Sequence, residues 1–423
     1  MFDQLLNIVS INISTVRKII QTNDRLREIV FGDETVAQEK SDENTQLTNL
    51  IEYLPSKREW RVYDHCASVT RLYAIYEGFV EELITNWVQS LPEMFPLYSD
   101  LNDKIKDTHQ IGVGKLLLEL KKKKNRFQHL SVDKVVRGLW RGVTDGKQYE
   151  LVSDAFLLHE QNLRKEAIEQ LFSGVGIPNT WVWVENHRAI KHFVENVRAR
   201  ENTAEGELEQ LIEYRNEAAH RAIIDETLGE TELLDLCNFV EALCKALAEL
   251  VTYKIIERKT FTGGAREVGN IRHWLDDIRV ARARVKEVNL CVGTKIFLLK
   301  DTSSYCCLAN IESIKIDENR EDEVAIKEEK DVHLKLDIVD AKKGLSIYII
   351  RDDLTSDDLN IMSQDWIYQL YKAALEADVQ VVIELITEIP DTEIYLIQSL
   401  TKIVRKFQFE QIIELIDPLI DDQ

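Results

Sequence analysis

Apolar residues recur at helical spacing from Leu5 to Phe31, and Gly32 stands where such a helix would stop. The polar stretch that follows, GDETVAQEKSDENTQLTN, reads as a flexible loop or a poorly packed helical extension. A second helix is predicted from Lys57 to Trp87, with Trp60, Tyr63, Cys66, Val69, Leu72, Ile75, Tyr76, Phe79 and Leu83 forming a wide apolar face. NLRKEAIEQLFSGVGIP reads as a short helix ended by Gly174 and Gly176, with Pro178 preventing its continuation. Helical periodicity returns at Glu207–Ile223 and again at Thr231–Arg258, where Leu233, Leu236, Val240, Leu243 and Leu247 form a dense stripe. Residues 265–289, REVGNIRHWLDDIRVARARVKEV and its flanks, read as a charged helical connector.

After Val292 the period changes to two. TKIFLLK, YCCLANIESIKI, EVAIK, VHLKLDIV and LSIYIIR alternate or run apolar between turn residues, as a small barrel or curled sheet requires. Beyond RDDLTSDDLN the helical period resumes, and Leu370, Ala374, Ile383, Leu385, Ile386, Leu396, Leu400, Ile403 and Phe407 are what a compact helical hairpin needs. The expectation is therefore a mainly α protein: a helical bundle over 1–262, a helical connector over 263–289, a small β-barrel over 290–351 and a C-terminal helical interaction module over 352–423.

A chain of 423 residues is long enough for two or three domains. There is no run of eighteen apolar residues and no signal-peptide pattern, so a cytoplasmic location with no membrane partner is expected. The six cysteines form no CxxC pair, which favours reduced, buried thiols. Net charge is −21, unevenly spread: residues 291–423 carry 14 basic and 28 acidic side chains, leaving 39 and 46 in the first 290. The N-terminal part thus has room for a local polyanion site, whereas the tail would repel one.

The stretch LIEYRNEAAHR, residues 211–221, carries the candidate chemistry. On a helix, Arg215, Asn216, Ala219 and His220 share a sector about 140° wide, with Glu217 pointing away. A histidine takes a proton from an RNA 2′-hydroxyl or gives one to the leaving 5′-oxygen, and an arginine clamps the phosphorane oxygens. Acid and base together need two such groups, which a two-fold dimer would supply by facing one helix against its copy. The bland alternative is a helix whose polar residues cap and solvate a bundle. Lys121, Lys122, Lys123 and Lys124, with Arg126, Lys134 and Arg137 beyond, read either as a solvated helix end or as contacts that guide a phosphate backbone. His187 and His192, five apart, are poorly spaced for one metal and read as core or surface residues. No phosphate loop, HExxH, GxSxG or EF-hand loop occurs.

LIEYRNEAAH resembles the RNxxAH signature of HEPN superfamily ribonucleases. VTRLYAIYEGFVEELITNWV and NLRKEAIEQLFSGVGI resemble the early helix and the short helix ahead of that signature, so the likeness spans roughly residues 60–258. It implies a helical bundle that dimerises through its signature helices into one cleft, with RNA cleavage that needs no metal or cofactor and leaves a 2′,3′-cyclic phosphate. Carried over by residue, Arg215 is the phosphate clamp, His220 the proton-transfer group and Asn216 the polar neighbour that orients either. Glu77, in YAIYEGF, matches an acidic position and would orient Arg215, or it is a plain helix-surface glutamate. Ribonuclease members often have glycine after the histidine; here Arg221 stands there, either adding a cation to the RNA groove or marking a divergent member.

Residues 365–416, from DWIYQL to ELI, are similar to a helical module at the ends of bacterial hybrid sensor histidine kinases. That likeness implies protein docking without phosphotransfer. The leading expectation is a homodimeric HEPN endoribonuclease, in the manner of a toxin or anti-phage effector. The alternatives are a non-catalytic dimerisation and signalling adaptor with a protein partner at residues 360–423, or an RNA- or peptide-binding barrel using Lys295, Lys300 and Tyr305.

Overall fold

In a computed structural model, the structure describes residues 2–31, 53–95, 97–122, 127–145, 149–158, 161–317, 319–351, 354–390 and 392–420. The polar stretch after Gly32 lies outside the described residues, as do Lys123, Lys124 and Arg126. Two compact units divide the chain, one of residues 1–87 with 153–250 and the other of 88–152 with 251–423. The expected 1–262 bundle is thus shared between them.

The first unit is helical. It contains α1 (Asp3–Phe31) and most of α2 (Lys57–Met94), a helix that continues seven residues past its expected end at Trp87. The remaining long helices of the chain's first part are α3 (Asp103–Glu119) and α4 (Val132–Trp140), in the second unit, then α5 (Lys165–Gly174), followed by the short α6 (Thr180–Asn186) and α7 (Arg188–His192), then α8 (Ala204–His220) and α9 (Glu230–Phe261). The predicted apolar stripes make the core of the first unit: Ile13, Val16 and Ile20 of α1, Leu72, Tyr76 and Leu83 of α2, Leu208, Leu211 and Ile212 of α8, and Leu236, Val240, Leu243 and Leu247 of α9 are all buried. Cys237 and Cys244 sit in that core, where burial pushes the Cys237 thiol up to about 11.

His187 is a core residue and His192 an exposed one, so the two do not share a ligand. The His187 Nε2 lies 3.0 Å from Glu249, which also accepts two hydrogen bonds from the Arg188 guanidinium at 2.5 and 2.7 Å. Burial alone would raise the Glu249 carboxyl, yet these bonds bring it down to about 2.

In the second unit the expected helical connector is replaced by two strands, β1 (Ala265–Leu275) and β2 (Val280–Val285). VARARV has period two: Ala281, Ala283 and Val285 are buried while Arg282 is exposed and Arg284 half-exposed. Its alanines and arginines are good helix formers, and the strand pairing overrides that propensity. The expected strands follow as β3 (Val288–Cys291), β4 (Lys295–Lys300), β5 (Tyr305–Ile316), β6 (Asn319–Glu321), β7 (Glu323–Ile326), β8 (Lys330–Leu336) and β9 (Ser346–Ile350). The hydrogen-bonded order β4-β9-β1-β2-β8-β5 closes through β4 and β5 into a six-stranded barrel; β6 extends β5, and β3 pairs with β7 as a separate ribbon. The barrel therefore begins at residue 265, not 290. A bulge at Glu267–Gly269 brings the glycine so near β2 that a Cβ there would lie 2.0 Å from the Arg284 carbonyl oxygen.

The tail holds α10 (Ser356–Leu359), α11 (Gln364–Leu375), α12 (Val379–Ile386), α13 (Ile394–Arg405) and α14 (Phe409–Ile420) around their own core. Phe407 is not part of it: it occupies a left-handed turn position with φ 56° after α13, exposed, and Phe409 is buried instead. Trp366 anchors α11 to α12 by donating its indole N–H to the Leu385 carbonyl at 3.1 Å. Among the described residues no helix is long and apolar enough to cross a membrane.

Gly269→Ala is expected to destabilise the barrel by about 1–3 kcal/mol, because backbone and not a flexible side chain must move; thermal denaturation measures it. His109 gives a pH test. It is fully buried, its Nε2 accepting the Val152 N–H at 3.2 Å and its Nδ1 facing the Tyr98 hydroxyl at 3.2 Å, and burial drives its pKa down to about 4. The unfolded chain has a histidine near ~6.5. Below that pH the unfolded state binds the extra proton, so stability present above pH ~6.5 declines as pH falls toward the folded value, by about 3 kcal/mol at the limit. Between pH 7 and 4.5 the wild type should lose more unfolding free energy than His109→Gln.

Candidate functional site

The signature residues lie on α8, whose N-terminus is capped by the Thr203 hydroxyl accepting the Gly206 N–H at 3.0 Å. Leu208, Leu211 and Ile212 bury one face, which leaves Arg215 and Asn216 half-buried and Ala219 and His220 exposed. α8 was expected to reach Ile223, but it ends at His220. Arg221 is extended at φ −99° and ψ 133°, and its N–H closes the last helical bond onto the Glu217 carbonyl at 2.8 Å. The histidine is therefore the last helical residue, next to the irregular segment 222–229.

The Arg215 guanidinium lies over the Tyr73 ring, 4.8 Å from its centroid, and donates to the Asn216 side-chain oxygen at 3.0 Å. That same oxygen accepts from the Asn162 amide at 3.2 Å. Tyr73, buried on α2, donates its hydroxyl to Glu77 at 3.1 Å and accepts the Leu163 N–H at 3.0 Å. Burial above all, with the Glu77 carboxylate adding and the Leu163 N–H and Arg215 opposing, pushes the Tyr73 hydroxyl up to about 12, so it stays a donor at neutral pH. Tyr76, one residue before Glu77, gives its hydroxyl to the Leu163 carbonyl at 2.9 Å. Glu77 thus meets Arg215 through the Tyr73 ring; its own bond is to the tyrosine.

No carboxylate partner of Arg215 occurs among the described residues, in contrast to its neighbours. Arg164 pairs with Glu209, Arg198 with Glu207 at 2.7 Å and Asp235 at 2.9 Å, and Arg221 with Glu217 at 2.7 Å. Among the described residues Arg215 is instead held by an amide and a ring, both neutral. Nothing of the kind holds His220: it has no hydrogen-bond partner among the described residues and faces solvent.

Arg221 is drawn onto Glu217 of its own helix. Lys121 and Lys122 lie in the other unit, both exposed just after α3, with Lys122 bound to Glu119 at 2.5 Å. Arg137 is similarly paired with Asp133 at 2.7 Å. In the barrel, Lys295 is exposed but Tyr305 is fully buried with its hydroxyl 3.4 Å from Asp340, so the tyrosine offers no binding surface. Among the described residues no group of three or more His, Cys, Asp or Glu side chains stands ready for a metal ion.

Besides Glu77, Tyr73 and Asn162 belong to this site from outside the RNxxAH pattern, and His65 packs beside it. Tyr73 is four residues ahead of Glu77 on one helix face, a spacing that marks a side-chain pair. Asn162 opens the segment NLRKEAIEQ, and it lies 54 positions from the residue it holds. His65 packs edge-on against Tyr214 at 5.4 Å and accepts the Leu228 N–H at 3.3 Å, tying the segment after α8 to α2.

A family model described as RiboL-PSP-HEPN matches residues 20–253, and one described as hybrid histidine kinase-response regulator, C-terminal domain, matches residues 352–417. Both resemblances drawn from the sequence are borne out. No curated protein matches the chain, and no solved structure does.

Tyr73→Phe is expected to cost about 1–3 kcal/mol, since it leaves the buried Leu163 N–H without an acceptor. Urea unfolding at neutral pH measures the change.

Proposed function

The chain belongs to the RiboL-PSP-HEPN family, and from that membership we propose that it is an endoribonuclease acting at a composite cleft between two copies, by a reaction that needs no metal. The observation that carries this reading is the Arg215 guanidinium, held by the Tyr73 ring and the Asn216 amide with no carboxylate partner among the described residues, on the same helix as an exposed His220 about 140° round from it. One histidine removes the proton from the RNA 2′-hydroxyl, whose oxygen attacks phosphorus. As the P–O5′ bond breaks, the histidine of the second copy gives its proton to the 5′-oxygen. The products are a 2′,3′-cyclic phosphate and a 5′-hydroxyl. Arg215 stabilises the charge that gathers on the non-bridging oxygens, and a guanidinium with neutral supports suits this because no carboxylate among the described residues competes for it.

Asn216 keeps Arg215 aimed, and Asn162 keeps Asn216 in place. Glu77 acts through Tyr73. Arg221, and separately the basic run Lys121–Lys124 with Arg126 in the other unit, are the candidate contacts to the RNA backbone. A toxin or anti-phage role fits an enzyme whose cut destroys its substrate, and the tail is the place where a protein partner would restrain it. A second reading rests on the 352–417 match: a non-catalytic adaptor that dimerises through the bundle and docks a protein through the tail.

In EDTA the purified full-length protein should cut RNA and leave cyclic-phosphate ends. His220→Ala should lower the rate by about 10²–10⁴-fold, the range for losing a general acid or base, with the melting temperature unchanged. Arg215→Ala should do so with Arg215→Lys rescuing only part, because a lysine cannot clamp two oxygens. Cleavage that stops in EDTA refutes the metal-free mechanism. If both alanine variants keep full cellular effect while deletion of residues 360–423 removes it, the adaptor reading wins.

A further inference from the structure

The outer face of the barrel carries a row of basic and imidazole side chains that its register lines up. His273 of β1 stands opposite Arg282 of β2, Arg282 opposite His333 of β8, His333 opposite Lys315 of β5, and Lys315 opposite Arg320 of β6. One line across five neighbouring strands therefore reads His, Arg, His, Lys, Arg. Its outward direction follows from the pleat: Ala281 and Ala283, Val332 and Leu334, and Ile314 and Ile316, which flank Arg282, His333 and Lys315, are all buried. His273, Arg282, Lys315 and Arg320 are exposed, and His333 is half-buried. At about 4.8 Å between strands the row runs roughly 19 Å.

The chain does not neutralise this row. Among the described residues Arg282, Lys315 and Arg320 have no carboxylate partner, and the acids of the same strands are engaged elsewhere. Asp331 accepts two bonds from Arg284, at 2.8 and 2.9 Å, and its charge also acts on Arg272 and His333. Glu312 lies 2.8 Å from Lys335 and 3.6 Å from Arg279. Each of these carboxylates thus faces more than one base. Like charges directly opposite each other destabilise a sheet, and Lys315 with Arg320 is such a pair. An external anion relieves it. In a chain of net charge −21 such a surplus is local and exceptional.

A cation at regular steps along a line suits a polymer that carries an anion at regular steps, which is what a phosphodiester backbone is. Base reading needs rings to stack on, and these strands offer none: Trp274 and Tyr305 are their only Trp, Tyr or Phe residues, and both are buried. We propose that this face of the barrel is a sequence-independent surface for the backbone of RNA, with Arg282, Lys315 and Arg320 as its phosphate contacts and His273 and His333 as hydrogen-bonding groups between them. Naming RNA as the polyanion rests on the nuclease reading; the row itself uses neither Arg215 nor His220.

A fluorescent 2′-O-methyl RNA 20-mer, which lacks the hydroxyl that attacks phosphorus, reads binding to the full-length protein without cleavage. Arg282→Gln with Lys315→Gln should weaken binding about tenfold or more near 0.1 M salt and reduce the slope of log K against log salt by about 1.4, two contacts at about 0.7 each. The melting temperature should stay, because both side chains are outside the core. Lys327→Gln with Lys343→Gln, exposed barrel lysines outside the row, should leave affinity and slope as in wild type. Equal losses in the two pairs, or none in the first, overturn the surface. So does displacement of the RNA by poly-glutamate at the same charge concentration, which would make the face a site for acidic proteins. Cleavage of unmodified RNA is followed in the same preparations: a chain that binds through the row but never cuts refutes the nuclease reading alone, and one that cuts with a KM indifferent to the first pair refutes the surface alone.

Discussion

The candidate site is built around a positive charge that has no counter-ion among the described residues. An arginine in a helical bundle usually finds a carboxylate, as Arg27 does with Asp64, Arg188 with Glu249 and Arg198 with Glu207 in the same unit. Arg215 rests on an aromatic face and an amide oxygen instead. Both supports are worth less than a buried ion pair, but neither quenches the charge, and their geometry limits where the guanidinium points. Packing serves the same end. Tyr73 keeps its ring in place because its hydroxyl is tied at once to Glu77 and to the backbone of Leu163, so the support is rigid before anything binds.

How much of this was legible in the sequence depends on range. The helices were, because their apolar stripes have a period that survives any topology: Ile13, Val16 and Ile20, or Leu236, Val240 and Leu243, announce one buried face each. The pair Arg215 and Asn216 was legible too, as neighbours on one helix. Tyr73 and Asn162 were not, since what makes them part of the site is a fold that brings residues 73, 162 and 215 together. The first two barrel strands were misread for a different reason. Helix-forming residues filled VARARV, and local propensity outweighed an alternation only six residues long. The end of α8 was misread by three residues, and that error matters because it decides whether the histidine is inside a helix or at its tip.

His220 at that tip and Arg215 one turn inward are unequal in exposure, and the inequality has a chemical meaning. A clamp works best when it is immobile, so partial burial suits Arg215. A proton-transfer group must reach the substrate and let go of it, and exposure suits His220. Left alone, however, one exposed imidazole gives either acid or base, never both in one step. In the proposed nuclease a second copy would correct that shortage and would also cover the histidine, removing the water that would otherwise solvate the developing charge.

Charge distribution sets the last constraint. With −21 overall, and twice as many acids as bases beyond residue 290, the molecule as a whole repels a nucleic acid at long range. For the proposed RNA substrate, attraction must then come from within about a Debye length of the site, roughly 8–10 Å, where Arg215 has no carboxylate partner among the described residues. The proposed site would then favour a strand already brought close, or one flexible enough to bend its phosphate toward a half-buried cation, over a rigid duplex that presents its charge all at once. The acids are concentrated in the tail, since residues 265–350 hold 15 basic and 16 acidic side chains; in the proposed nuclease that tail would disfavour non-specific contact with RNA and leave binding to the cations of the earlier chain.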